Sequence, residues 1–379
     1  MAKKRKTMSN YIPSEIKIKI FCHLPVKSLI RFRSVSKEWK SLIDSSEFNS
    51  DYIIRQAQRK RILLQRVLYK GFVDDHRERG EYCWIVDDDD SFPQHVISLT
   101  YPLSVNRLLN TDNNKRLVGY SHGLLCFTGC YSGEIDSFNR YVIWNPSIRK
   151  SVSIDAPYYK SFFAGFGVCP NSLDPKIVRI NVHYDNDHKQ NVWRVGVFAL
   201  SGGVWRSPLT KLPSKWFDIS LFDHQTPVVL NGFIYWCAYT SRGQAIISFN
   251  LESEEFTKIL GPNNSKIFTL KLPHKAKVVG FKDNDQLIIE DRGILIEKED
   301  GDVRCHDVNG TWRMCEYRPE LVVYDPYLKH SNNLGLHVSC LSFTSSYIES
   351  LLLLDRSDTL NDDEYHDAAL TSTSKEYMN

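Results

Sequence analysis

No stretch of this sequence holds the roughly 20 consecutive apolar residues that a membrane-crossing helix needs, and the longest apolar pieces are Val195–Leu200 and Leu351–Leu354. Export signals are missing too. The first thirty residues start basic but contain no unbroken apolar core and no cleavage pattern, so a soluble intracellular chain is expected. A disulfide framework is absent: the nine cysteines are odd in number and scattered from Cys22 to Cys340, which predicts mostly reduced, buried thiols. The triplets Asn263-Asn264-Ser265 and Asn309-Gly310-Thr311 then count as chance matches to a glycosylation site. Net charge is small, with 48 Lys and Arg against 45 Asp and Glu. No Walker-type lysine loop occurs, and Gly165-Phe166-Gly167 lacks the third glycine of a dinucleotide fingerprint. Neither absence leaves a cofactor to expect.

What is present is ordinary globular material, 42% hydrophobic and 12% aromatic over 379 residues, enough for more than one domain. The charge is unevenly placed. Residues 1–60 carry 14 Lys and Arg against 5 Asp and Glu, and the remainder carries 34 against 40. A basic head on a mildly acidic body predicts two modules with different partners. The cluster Lys3-Lys4-Arg5-Lys6 reads as a nuclear-import or nucleic-acid patch, or as a solvated tail.

Residues 11–60 read as short helices. Pro13 and Glu15 form a helix start, and Ile16, Ile20, Phe21 and Leu24 recur at helical spacing, although Ile16–Ile20 also alternates like a strand. Pro25 opens a second helix with Leu29 and Phe32. Ser36 caps a third with Trp39, Leu42 and Ile43, and a fourth starts near Ser46. So small a helical unit has a poor core and needs something to lean on.

From Arg61 the texture turns to strands. A theme recurs: a glycine opens an apolar strand, and a second strand ends in an aromatic residue and a polar turn. Gly123–Phe127 with Tyr141–Pro146, and Gly232–Trp236 with Ala245–Asn250, are the clearest copies. Spacing of this order predicts an all-β propeller of about six blades, with a two-sheet sandwich as the alternative. Asp87–Asp90 reads as a solvated loop without the spaced ligands of a calcium site. The last stretch, 355–379, holds seven Asp and Glu against two Lys and Arg and is predicted to be disordered.

Chemistry-bearing constellations are incomplete. Gly119-Tyr120-Ser121-His122-Gly123 matches the G-x-S-x-G elbow and makes a serine hydrolase centred on Ser121 a rival reading, but a strand follows it where the elbow requires a helix. Cys126 and Cys130 have no second pair, and Cys305-His306 and Cys315 stand alone, so no metal is expected. Trp144, Trp205, Trp236, Phe249 and Trp312 could stack bases, yet the body around them is net acidic, so core packing is the expectation and nucleic acid is not.

The run from Ile12-Pro13-Ser14-Glu15-Ile16 through Ile20-Phe21-Cys22-His23-Leu24-Pro25-Val26-Lys27-Ser28-Leu29 to Val35-Ser36-Lys37-Glu38-Trp39-Lys40-Ser41-Leu42-Ile43 resembles a plant F-box, departing from it at Ile12 and Ser34. Gly119–Phe127, Ile143–Lys150, Gly165–Gly167, Leu230–Trp236, Ser248–Asn250 and Tyr347–Leu351 resemble, in order, the plant F-box-associated domain; the departure is at Asp174-Pro175, where a proline predicts a shortened or displaced strand. The resemblance implies an α+β multidomain chain: a basic tail (1–10), a three-helix F-box (11–55), a kelch-like β-propeller (61–354) and an acidic tail (355–379). It implies a non-catalytic substrate receptor of a Skp–cullin–F-box ubiquitin ligase, cytoplasmic or nuclear. The F-box would dock a Skp-type adaptor, and through it a cullin scaffold, while the β domain binds a protein target. The implied adaptor contacts are Ile12, Pro13, Ile20, Leu24, Pro25, Leu29, Val35, Trp39, Leu42 and Ile43, some of which must instead pack inside the F-box. Ser253-Glu254-Glu255-Phe256 and Tyr347–Leu354 are also similar to the S-locus F-box branch, which implies a pistil ribonuclease as one candidate target. A nucleic-acid binder using the basic head is the remaining rival.

Overall fold

Proline and serine set where the first helices begin. In the computed structural model, α1 (Ser14–Phe21) follows Pro13 and α2 (Val26–Phe32) follows Pro25; a missing N–H costs nothing at such starts. α3 (Lys37–Ile43) is capped by Ser36, whose Oγ accepts from Trp39 N at 3.1 Å, and α4 (Ser46–Ala57) by Ser45, whose Oγ accepts from Phe48 N at 3.2 Å. The ambiguous Ile16–Ile20 segment is therefore helix, and the fourth helix read near Ser46 is present as α4, where the resemblance implied three. Phe21, Val26, Leu29, Ile43, Phe48 and Tyr52 form their common core.

The structure describes residues 12–73, 76–87, 96–109, 116–132, 137–157, 163–185, 190–209, 220–221, 227–240, 243–260, 277–281, 287–291, 304–306, 312–314, 320–325, 330–337 and 342–354. The basic tail 1–10, the aspartates at 88–90, the triplets at 263–265 and 309–311, Cys315 and the acidic tail 355–379 lie outside the described residues.

The β body is a succession of antiparallel sheets. The first holds β1 (Arg61–Val73), β2 (His76–Asp87) and β3 (Val96–Leu99), and α5 (Leu103–Leu109) follows it. The second holds β4 (Arg116–Ser121), β5 (Leu124–Ser132), β6 (Ser137–Asn145) and β7 (Lys150–Pro157). The third holds β8 (Phe163–Val168), β9 (Pro175–Asp185), β10 (Gln190–Ala199) and β11 (Trp205–Arg206). The fourth holds β12 (Ser220–Leu221), β13 (Val228–Leu230), β14 (Phe233–Thr240), β15 (Gly243–Asn250) and β16 (Phe256–Leu260). In the fifth, β17 (Lys277–Phe281) and β18 (Leu287–Asp291) come first. A separate hairpin of β19 (Arg304–His306) and β20 (Trp312–Met314) follows, and β21 (Glu320–Asp325) and β22 (His330–His337) then complete the sheet. Finally β23 (Ser342–Ser346) returns to pair with β1, so the last strand among the described residues completes the first sheet. β4 packs on β8, β8 on β14, and β17 on β23, a propeller-like succession in which the first sheet is built from both ends of the β body. Among the described residues there are five such sheets of four or five strands, against the six that length alone suggested.

A sheet covered on both faces needs apolar residues at both parities of the strand. On β5, Leu124 and Cys126 join the core shared with the third sheet, and Leu125 and Phe127 join the core shared with the first. On β6, Tyr141 and Ile143 divide from Val142 and Trp144 in the same way. On the third sheet, Ile177 and Phe198 face back, while Val178, Ile180 and Val197 face the fourth. Three successive cores between neighbouring sheets leave no room for a two-sheet sandwich.

The recurring glycine has a local cause. His122 and Gly123 (φ 50° and 83°) join β4 to β5, and Asn231 and Gly232 (φ 50° and 79°) join β13 to β14. Two consecutive positive φ values in a two-residue loop make the type I′ hairpin, which matches strand twist. Pro175 does not shorten its strand. It is the first residue of eleven-residue β9, a position where a missing N–H is tolerated. α5 was not anticipated; Pro102 before it and buried Val105 and Leu108 at i, i+3 were its signal. No helix among the described residues is long and apolar enough to cross a membrane.

Candidate functional site

On α1 the spacing of four places Ile16 and Ile20 on one side, exposed at 45% and 48%, and Ile12, two residues before the helix, is exposed at 47%. Val35, in the turn after α2, is 62% exposed. The opposite side of α1 is anchored by Phe21, whose ring lies 5.1 Å from that of Trp39 and 5.6 Å from that of Phe32. Lys17 reaches Glu38 at 2.6 Å and ties α1 to the first turn of α3. Arg33 forks onto both oxygens of Asp44, at 2.6 and 2.7 Å, and ties the end of α2 to the end of α3.

This arrangement sorts the ten residues proposed from sequence for adaptor contact. Ile12, Pro13, Ile20, Pro25 and Val35 are exposed. Leu24, Trp39 and Leu42 are half-buried against the F-box core. Leu29 and Ile43 have no exposed surface at all and are core residues of the four helices. Ile16, not among those ten, is exposed on the same side of α1 as Ile20.

The F-box does lean on the β body, but by another face. Leu351 and Leu354, from the segment after β23, are buried in the F-box core, with Ile148 packed beside them. The same segment is held on its other side. Tyr120 Oη accepts from Ile348 N at 2.7 Å, and the hydroxyls of Ser147 and Tyr347 share a hydrogen bond of 2.9 Å. Arg61 pairs with Glu349 at 2.8 Å. Tyr52, on α4, donates to Leu24 O at 3.2 Å, and burial pushes its hydroxyl well above the usual tyrosine range. A cleft of 250 Å³ runs along this junction, lined by Asp44, Ser46 and Asn49 of the F-box, by Asp174 and Ser201 of the third sheet, and by 351–354.

The residues singled out in the β body are used by the fold. Ser121 sits in a hairpin rather than a strand-to-helix turn; its Oγ accepts from Val168 N at 3.1 Å and shares a 2.9 Å hydrogen bond with His122 Nδ1. Burial pushes His122 below the ordinary histidine value. Trp144 packs on Tyr101 at 5.4 Å, Trp205 lies 5.5 Å from Tyr141 and 5.4 Å from Phe198, and Phe249 lies 4.7 Å from Phe256. Trp236 donates to Ala164 O at 3.3 Å across to the third sheet. The side chains of Trp312, Cys130, Cys305 and His306 lie outside the described residues. Cys22, Cys83, Cys126 and Cys169 are free and buried, and burial pushes the Cys126 thiol well up. Among the described residues no three His, Cys, Asp or Glu side chains gather as a metal site.

Glu254, fully buried, collects the densest set of charges. Its carboxylate accepts from Arg206 through both oxygens at 2.6 Å, from Lys176 at 2.9 Å and from Leu209 N at 3.0 Å. Burial opposes its ionisation, but the hydrogen bonds from Arg206, Lys176 and Leu209 prevail and hold the carboxyl at about 2.

Comparison with known proteins agrees with the architecture. The family described as F-box domain matches residues 11–51, and that described as F-box associated beta propeller domain matches residues 94–290. An F-box protein of Arabidopsis thaliana is 27% identical over 249 residues, 65% of this chain and 56% of that protein. A putative F-box protein of the same plant is 27% identical over 280 residues, 71% of this chain and 67% of that one. The chain thus spans between about half and two thirds of the length of these relatives. A puromycin-hydrolysing peptidase of Mycobacterium tuberculosis aligns with 72% of this chain and 35% of its own at a TM-score of 0.27 and 7% identity, too weak a likeness to carry any argument. With an F-box at its amino end and the propeller family covering residues 94–290, the chain belongs to the F-box proteins that carry an F-box-associated domain.

Proposed function

We propose that this chain is a substrate-recognition subunit of a Skp–cullin–F-box ubiquitin ligase. The F-box docks a Skp-type adaptor through Ile12, Ile16, Ile20 and Val35, with Pro13 and Pro25 beside them, and the β domain holds the protein to be ubiquitinated. The chain supplies no chemistry; ubiquitin transfer takes place on the partners. The supporting observation is the division of labour between two apolar faces of the F-box. One face is sealed on Leu351 and Leu354, and the row on α1 stays open. An uncovered row of isoleucines on a helix is the kind of surface that a groove buries. The free thiols of Cys22, Cys83, Cys126, Cys169 and Cys237 fit a reducing compartment, cytoplasm or nucleus.

The cargo is left at the level of a protein. The segments that resemble the S-locus branch serve the fold: Glu254 holds Arg206 and Lys176, Phe256 packs on Phe249, and Tyr347–Leu354 straps the F-box. They give no separate support to a pistil ribonuclease.

Co-purification of the full chain with a recombinant Skp-type adaptor tests the proposal. Capture by the parent chain is expected. Ile16→Asp with Ile20→Asp should abolish it, and Leu209→Asp, at another exposed apolar position, should leave it intact. A folded parent chain that captures no adaptor removes the proposal.

A further inference from the structure

Once internal pairs are set aside, the charges of the first three helices are one-sided, while the exposed carboxylates Glu47 and Asp51 sit on α4. Over α1 to α3, Lys17 is taken by Glu38 and Arg33 by Asp44. Lys19, Lys27, Arg31, Lys37 and Lys40 remain, all exposed, against the single exposed carboxylate of Glu15. Two of these cations, Lys19 on α1 and Lys37 on α3, lie near the open apolar row. Lys19 lies one turn from Ile16, to one side of the row, and is exposed. The Lys17–Glu38 pair brings the first turn of α3, and Lys37 with it, against α1. Lys27 and Arg31 are one turn apart on the exposed side of α2, whose other side buries Val26 and Leu29.

Building on the adaptor reading, we infer that the docking partner presents an apolar groove rimmed by carboxylates, and that these cations steer the two together. Exposed charges add little to the affinity of a formed complex but raise the rate of encounter, and salt screens that gain. The isoleucine row commits the surface to a protein groove: a phosphate backbone offers nothing that would bury Ile12, Ile16 and Ile20. Rate and lifetime are therefore assigned to different side chains, the cations to association and the isoleucines to dissociation.

Stopped-flow mixing of the full chain with a recombinant Skp-type adaptor, from about 50 to about 500 mM NaCl, reads both constants. The association rate should fall about tenfold or more across that range while dissociation changes little. Combined Lys27→Glu, Arg31→Glu and Lys37→Glu should slow association at low salt by about tenfold and flatten its salt dependence, whereas Lys→Arg at positions 27 and 37 should change nothing. Far-UV circular dichroism checks that each variant is folded. Binding with an association rate constant within about twofold over the whole range overturns the inference while leaving the adaptor reading in place. No binding at low salt removes the adaptor reading itself. Capture of a DNA duplex or of phosphatidylserine vesicles with the steep salt slope, and of no adaptor, replaces it with another class of partner.

Discussion

The side-chain amide of Asn145, at the end of β6, donates to the carbonyls of Ser350 at 3.0 Å and Leu352 at 2.9 Å, 205 and 207 residues further along the chain. Asn145 and Ser350 are both fully buried, so these bonds hold the strap that carries Leu351 and Leu354 into the F-box. Asn145→Ala leaves the buried carbonyl of Ser350 and the half-buried carbonyl of Leu352 without their donor and should destabilise the chain by about 2–4 kcal/mol. Urea unfolding measures it, and a loss under about 0.5 kcal/mol would mean that the strap is held by other contacts.

Leu351→Ala with Leu354→Ala removes the part of the F-box core that comes from the β body. Such truncations cost about 2–5 kcal/mol each when the cavity cannot collapse. Faster hydrogen exchange of the amides in α2 to α4 is expected, with β5 and β6 unchanged, together with weaker adaptor capture although no residue of the open row has been touched. Equal exchange in α2 to α4 before and after would show that the four helices are self-sufficient.

Two glycines with similar backbone should respond differently to alanine. At Gly123 (φ 83°) an added Cβ would lie 2.5 Å from Ile348 O and 2.8 Å from Ser350 Oγ. At Gly203 (φ 68°) nothing lies within 4 Å. Gly203→Ala should cost about 1 kcal/mol for backbone strain alone. Gly123→Ala pays that and also pushes the strap aside, so its melting temperature should drop clearly further. Equal shifts would be evidence against tight seating of the strap.

Glu254 sets an acid limit on the third and fourth sheets. Its carboxyl titrates at about 2 in the folded chain, below its ordinary 4.5. A lowered folded value means that the unfolded chain binds the proton first, so the stabilisation is complete above about pH 4.5 and is lost as the pH falls towards 2. The shift corresponds to a contribution on the order of 3 kcal/mol. Urea midpoints followed from pH 5 downward should fall steeply for the parent. In Glu254→Gln they should start lower and fall less. Parallel pH profiles for the two chains would count against this assignment.

Ser121→Ala tests whether the G-x-S-x-G match means anything beyond structure. It removes the acceptor of Val168 N and should cost about 1 kcal/mol. Any background ester turnover should be the same in both chains, and a turnover that disappears with the hydroxyl would reopen the hydrolase reading.

Much of this was legible one element at a time. Ser36 as the cap of α3, Pro25 as the start of α2 and the glycines of the hairpins all act within a few residues of themselves, so local pattern suffices to read them. The unbroken apolar runs of β5 and β6 fit a sheet covered on both faces, as the structure shows it. Hidden were the distribution of Leu29 and Ile43 to the interior and Ile12, Ile16 and Ile20 to the surface, because every one of them is simply an apolar residue on or beside a short helix.

By itself, then, the sequence determined the helical head, the strand-rich body, the turn chemistry and the family to which both parts belong, since each of these is written in short-range spacing. Only the tertiary structure decided that β23 completes the first sheet, that Leu351 and Leu354 finish the F-box core, and which isoleucines remain exposed. Those outcomes depend on contacts between residues some two to three hundred positions apart, and the cost of closing such long loops is met by burial that no local pattern records.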